Sequence, residues 1–338
     1  MKIQIPVWLT TYGTIFIIIV GSFWFAAQFV EPAPPKSITM AAGRSGGAYY
    51  HFAQEYKRAL KDYDVDVEVI ETAGSVENMA LLQSGEADFA FMQSGIAQYV
   101  AGKERRGEVN RTYDERVAEE RFGGVEALSS LYFEPLWIFV RKGEAVPRLL
   151  DFQGKRIAAD GAQSGTYAVA RQLFEANGMS EDTLVYSDVA GRQGEQALID
   201  GSIDALFMVS GLSSETLIAM LENPALELMS LRRSLAYDRH FTFLRALSLP
   251  EGGLSLEKNI PPQEIDLVAP VAMMVSSSTA HSALKSLVIQ VGAEIFDETG
   301  PYREVFEFPA SSNIDLPLAG EAKRYFKYGP GILERYLP

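Results

Sequence analysis

The chain has 338 residues, 47% of them hydrophobic and 22% charged, which is globular composition at a length that suits two domains better than one. A formal net charge of −14, with no stripe of Lys or Arg, excludes a nucleic-acid partner on electrostatic grounds. The absence of cysteine excludes disulfides, thiolate nucleophiles and Cys-ligated metals.

From Val7 to Val30 no residue is charged, and a helix over that stretch is ~36 Å long, enough to cross a bilayer core. Trp8, Tyr12 and Trp24 suit the two interfacial aromatic belts, and Lys2 ahead of the segment places the N-terminus in the cytoplasm. A cleaved signal peptide is the competing reading, but Trp24 and Phe25 spoil the small-residue pattern such cleavage needs. The segment is therefore expected to stay as a single-pass transmembrane anchor at residues 7–30 in the cytoplasmic membrane. The stiff linker at residues 31–36, containing Pro32, Pro34 and Pro35, follows it.

A first lobe is expected over residues 37–140. Ser37 to Ala42 reads as a buried strand, Gly43-Arg44-Ser45-Gly46-Gly47 as a turn, and Ala48 to Lys61 as a helix, the opening of a βα unit. Val65 to Ile70 alternates with period two, Thr72-Ala73-Gly74-Ser75 caps a helix from Val76 to Ser84, and Asp88 to Met92 is the next strand. A second lobe, residues 141–265, repeats this grammar: a strand at Arg156 to Ala159, the turn Gly161-Ala162-Gln163-Ser164-Gly165-Thr166, and a helix from Tyr167 to Asn177. Leu82, Gly85, Asp88, Met92, Ser94 and Gly95 coincide with Leu198, Gly201, Asp204, Met208, Ser210 and Gly211 at one constant offset, so the two lobes read as homologous α/β units. The β-prone runs Ser130 to Val140 and Asp266 to Val275 are expected to cross between lobes as a hinge. Residues 266–338 then carry helices from about His281 to Thr299 and Gly320 to Tyr328 back to the first lobe.

In sheets of this kind ligands bind beyond the carboxyl ends of strands, where helix N-termini present free N–H groups. Gly46, Gly47 and Gly165 allow close approach there, and Ser45, Thr72, Ser75, Ser164 and Thr166 are either helix caps or ligand donors. Such donors favour an anion, a carboxylate among them. Arg44 and Arg192 lie at turns of opposite lobes, so either they clamp a carboxylate on lobe closure or they are solvated surface groups. Tyr49, Tyr132 and Tyr167 line the cleft or pack in the core. The glycine turn has neither Walker nor dinucleotide spacing. The histidines His51, His240 and His281 lack metal-ligand spacing, and no catalytic triad or carboxylate pair can be argued, so neither cofactor, metal nor enzymatic activity is expected. Asp88 and Asp204 are expected to fix turns rather than to catalyse.

Gly43-Arg44-Ser45-Gly46-Gly47-Ala48-Tyr49-Tyr50, Thr72 to Asn78, Leu82 to Asp88 with Gln93-Ser94, and Tyr132-Phe133-Glu134-Pro135-Leu136 resemble the TAXI family of solute receptors of tripartite ATP-independent periplasmic (TRAP) transporters. Lys258-Asn259-Ile260-Pro261, Phe308-Pro309 and Gly329-Pro330 extend the resemblance toward the C-terminus. It implies a type II periplasmic-binding-protein fold, no catalysis, a small carboxylate ligand such as glutamate or another organic acid, and a membrane permease as partner. Transferred to the matching positions, it implies that Ser45, Gly46, Gly47, Tyr49, Thr72, Ser75, Asn78, Gln93, Ser164, Gly165 and Thr166 face the ligand. A receptor domain in the periplasm or outside the cell follows. The alternative from another class is a tethered sensor of the same fold that signals to a partner protein.

Overall fold

The computed structural model describes residues 7–27, 32–102, 122–180, 183–212, 214–296 and 308–330. The end of the expected anchor (28–30), the first linker residue (31) and the last residues of the helix expected to reach Thr299 lie outside these. The chain divides into two units, Met1–Pro35 and Lys36–Pro338.

The first unit is one helix, Val7–Ala27, and its side chains from Ile15 to Phe25 include Phe16, Ile17, Phe23 and Trp24 as exposed apolar groups. Among the described residues no helix is long and apolar enough to cross a membrane. The single-pass transmembrane anchor expected at residues 7–30 is therefore not found among the described residues.

The second unit holds two five-stranded sheets. The first runs β2 (Asp66–Ile70), β1 (Ser37–Ala41), β3 (Phe89–Gln93), β12 (Val271–Ser277) and β4 (Val125–Phe133); β1, β2 and β3 are parallel and β12 is antiparallel to both neighbours. The second runs β7 (Val185–Ser187), β6 (Arg156–Ala158), β8 (Ala205–Val209), β5 (Leu136–Arg141) and β9 (Leu226–Leu228), again with three parallel strands beside an antiparallel one. β10 (Arg245–Leu249) and β11 (Ile265–Ala269) form a separate antiparallel pair.

Each sheet is covered on both faces, as parallel sheets require. The helix Ala48–Lys61 turns Phe52, Tyr56 and Leu60 toward β1 and β3, together with Val288, Ile289 and Phe296 of the helix Ser282–Phe296. The i, i+4, i+8 spacing of those three residues makes one buried stripe. The C-terminal helix Gly320–Tyr328 adds Ala322 to the same core. In the second sheet Val169, Leu173 and Phe174 of the helix Gly165–Ala176 cover one face, and Trp137 with Leu198, Leu217 and Met220 fills the other.

The expected crossing strands are each interrupted. The run from Ser130 to Val140 breaks at Glu134-Pro135 into β4 and β5, which belong to different sheets; the run from Asp266 to Val275 breaks at Pro270 into β11 and β12. Proline has no N–H for the ladder and holds φ near −65°, so it ends pairing with one sheet and lets the chain enter the other. The crossings are tied together: Glu134 N–H donates to the Pro270 carbonyl at 3.0 Å, and Ser94 Oγ accepts from Val271 N–H at 2.8 Å while donating to the Phe243 carbonyl at 3.0 Å.

The repeat has a structural meaning. Gly85 and Gly201 end equivalent helices at φ 77° and 78°, and the aspartates three residues later each bind the strand beside their own. Asp88 Oδ2 accepts from the Thr39 N–H (2.7 Å) and hydroxyl (2.9 Å), and Asp204 Oδ2 accepts from the Arg156 N–H at 2.9 Å. Arg156 also grips Asp204 through Nε and a 2.8 Å bond from Nη2, and these hydrogen bonds hold the Asp204 carboxyl down at about 2. A depressed carboxyl stabilises the fold above its ordinary titration range and loses that contribution as the pH falls toward 2. Asp204→Asn is expected to cost on the order of 2 kcal/mol at neutral pH and to flatten the fall in stability between about pH 4 and 2. Denaturant midpoints measured across that range check it; an unchanged acid limb refutes it.

Candidate functional site

A cleft of about 220 Å³ opens between the carboxyl ends of the two sets of parallel strands. One wall is built by the Gly43–Gly47 turn after β1, Ala73 to Ser75 after β2, and Gln93 at the end of β3. The other is built by Asp160 and Ser164 to Thr166 after β6, Gly191 after β7, and Met208 to Ser210 with Ser214 and Thr216 after β8. Both repeated glycine turns thus face one shared cavity.

Of the residues singled out by the sequence, Arg44, Ser45, Gly46, Gly47, Tyr49, Ser75, Gln93, Ser164, Gly165 and Thr166 line this cleft. Several are also spent on the framework. Ser164 Oγ caps its helix by accepting from Tyr167 N–H at 3.1 Å, Thr166 Oγ1 accepts from Val209 N–H at 3.0 Å, and Ser75 Oγ accepts from Gln93 N–H at 3.1 Å. Gln93 is buried and its Nε2 crosses the cleft to donate to the Gly165 carbonyl at 2.8 Å. A Cβ on Gly165 would lie 2.2 Å from Gln93 Oε1, so glycine is what lets the two walls meet. Glu77 and Val76, at the start of the helix Ser75–Ser84, donate their N–H groups to the Gln163 carbonyl of the opposite wall.

Thr72, Asn78 and Arg192 do not line the cleft. Thr72 and Asn78 are buried and bonded to each other at 2.6 Å, and Asn78 Nδ2 donates to the carbonyls of Ala42 (2.6 Å) and Phe91 (2.7 Å), so this pair joins β1 to β3 behind the cleft lining. Arg192 is exposed on the first turn of the helix Gly191–Ile199. Arg44 Nη2 lies 2.8 Å from Asp160 Oδ1 across the cleft. Tyr132 packs with Phe52 and Phe296 in the core and Tyr167 against Tyr186, so of the three tyrosines Tyr49 is the one in the cleft wall.

Two acidic residues of the wall escaped the sequence reading. Asp160 follows β6 as Gly43 follows β1, since Ala158 pairs with Leu206 as Ala41 pairs with Ala90, and nothing in the first turn's sequence marks an acid at that place. Its carboxyl is pushed up by burial, against the pull of the Gly161 N–H and Arg44. Glu134 stands inside the crossing motif Tyr132-Phe133-Glu134-Pro135 and is 3% exposed. Its Oε2 accepts from the Tyr49 hydroxyl at 2.5 Å. Burial raises the Glu134 carboxyl to about 8, with Tyr49 and Tyr132 opposing the rise, so at neutral pH most copies carry a proton.

The architecture is that of periplasmic solute-binding proteins. The alkanesulfonate-binding protein SsuA from Xanthomonas axonopodis pv. citri, bound to MOPS, superposes with a TM-score of 0.50 at 12% identity over 78% of this chain and 74% of its own. A protein from Bordetella bronchiseptica RB50 gives 0.52 at 14% identity, over 77% of this chain and 70% of its own. At such identities the likeness carries the fold alone. The model of the NMT1-like family matches residues 40–238, which takes in the turns of both walls and all five strands of the second sheet, and on that match over more than half its length the chain belongs to the NMT1-like family.

Proposed function

We propose that this chain is the extracytoplasmic solute-binding subunit of a TRAP-type secondary transporter of the TAXI kind, in which each sheet with its helices moves as one lobe and a small molecule bound between them favours closure. The observation that carries the reading is the shared cleft: two repeat-related glycine turns, at Gly46-Gly47 and Gly165, border one cavity of about 220 Å³. A ligand held by both walls stabilises their approach through its differential affinity for the closed arrangement. The wall offers backbone N–H groups at the starts of the helices Ala48–Lys61 and Gly165–Ala176, where an anionic group such as a carboxylate is favoured. The chain's role is recognition, and the proposed permease partner supplies translocation.

Native mass spectrometry of the full chain, purified in mild detergent, is expected to show one small-molecule adduct per chain that leaves on gentle unfolding. A chain that carries no adduct, and that gains no thermal stability from any member of a metabolite library, refutes the receptor reading.

Membrane attachment through the first helix belongs to the same proposal. The uncharged stretch from Val7 to Val30 and the exposed apolar side chains from Ile15 to Phe25 support it. Retention of the chain in the membrane pellet at alkaline pH is the expected result; release into the supernatant removes the anchor.

A further inference from the structure

We propose that Glu134 selects the ligand of this cleft by forming an ion pair with a cationic nitrogen on it. The inference rests on the receptor reading and adds what that reading leaves open, the group of the ligand that meets the buried carboxyl in the wall.

The charged side chains that line the cavity are Arg44, Glu134 and Asp160. Arg44 and Asp160 are matched to each other at 2.8 Å, at a half-exposed position where the arginine retains 52% of its accessible surface. Among the described residues Glu134 has no such partner. It sits at the junction of β4 and β5, 3% exposed, and the groups that face it are the hydroxyls of Tyr49 and Tyr132, neither of them a cation. A carboxylate in such a place is costly as an anion, and a neutral acid wastes its capacity to pair. A ligand ammonium or amidinium supplies the missing charge.

The Tyr49 bond is placed to assist. A hydroxyl 2.5 Å from a carboxyl oxygen is at the short, charge-assisted end of O–H···O distances and supports the ionised form once a cation has entered. Tyr49 is itself held in place by stacking on Phe91 with ring centroids 5.4 Å apart. The crossing motif therefore does two things: Pro135 carries the chain into the second sheet, and the residue before it presents the selecting carboxyl at the point about which the walls meet.

The proton balance gives the test. With the carboxyl raised to about 8, the free protein is mostly protonated at neutral pH, and a cationic ligand that binds the ionised form displaces that proton to solvent. Affinity for the cation should then rise about tenfold per pH unit below pH 8 and level off above it. If Glu134 instead donated its proton to a ligand oxygen, affinity would fall with rising pH.

Calorimetric titration and thermal shift of the full chain in detergent should use matched probes that differ in the nitrogen: 4-aminobutyrate against butyrate, L-alanine against propionate, putrescine against 1,4-butanediol. The expected result is binding by at least one nitrogen-bearing member, at least tenfold tighter than its nitrogen-free counterpart, with the stated rise with pH. Glu134→Gln, which keeps the shape of the protonated acid, should abolish both the preference and the pH slope, and Glu134→Asp should retain part of each. Should the glutamine variant fail to fold, Tyr49→Phe serves in its place, with a weakened preference expected. Binding by the nitrogen-free members alone, an affinity that falls with pH, or equal binding by wild type and Glu134→Gln each overturns the proposal while leaving a receptor. No binding by any nitrogen-bearing probe also overturns it. Silence of every probe together with an adduct-free mass spectrum removes the receptor reading as well.

Discussion

Gly95→Ala is expected to destabilise the second unit by about 3 to 5 kcal/mol, lowering the thermal midpoint by several degrees or more. Two separate costs combine. Gly95 has φ of 90°, where an L-residue is strained by ~1–2 kcal/mol, and a Cβ built there falls 2.5 Å from Cδ2 of Phe243. Phe243 cannot move aside cheaply, because it is buried within the core of the second sheet and packs at a tilt against Phe241. Gly95 also receives two anchors from elsewhere in the chain: its N–H donates to Asp315 Oδ2 at 2.7 Å and its carbonyl accepts from Gln172. The substitution therefore strains the place where the end of β3 meets the second sheet. Chemical denaturation with two probes, one per sheet, checks the prediction, and a midpoint indistinguishable from wild type would sink it.

Asn78→Ala is expected to cost about 2 to 4 kcal/mol and to leave the affinity of the folded protein for any cleft ligand within a factor of about two. Asn78 is fully buried and satisfies three groups at once: the Ala42 and Phe91 carbonyls accept from Nδ2, and the Thr72 hydroxyl donates to Oδ1. Truncation takes the side-chain donor from the Phe91 carbonyl and leaves the Ala42 carbonyl only the longer 3.3 Å bond from the Thr72 hydroxyl, in a dry site where a lost partner costs ~1–3 kcal/mol. Asn78→Asp separates this from a packing effect, since it keeps the volume but places an oxygen where Nδ2 donated. It should be at least as destabilising as alanine. A stable Asn78→Ala protein with lost ligand binding would restore the ligand-facing role that the family resemblance implies for this residue.

The contrast between Asn78 and Glu134 shows where reading residues by type runs out. Both lie in quoted motifs, and both are polar, buried and hydrogen-bonded. Asn78 is three residues into its helix and turns inward to the strand ends, whereas Glu134 stands at a strand break that opens on the cavity. Motif membership is equal in the two cases; direction is not, and direction comes from packing. Arg44 and Arg192 make the same point for charge. Both flank glycine turns, yet one finds an aspartate across the cleft and the other is exposed on a helix.

What the sequence determined by itself was the local grammar: period-two strands, glycine turns that only residues without a Cβ allow, the capping Ser164, the fixed offset that pairs Gly85 with Gly201 and Asp88 with Asp204, and hence two α/β units with a cleft at their turns. These follow from interactions between residues close in the chain, where spacing stands in for geometry. The tertiary structure alone decided which charges meet and which stay single. Arg44 reaches Asp160 and Gln93 reaches Gly165 through contacts far apart in sequence, and Glu134 meets no cation among the described residues where the crossing strands bury it. Pairing and desolvation depend on distance and surroundings in space, and neither is written in the order of the residues.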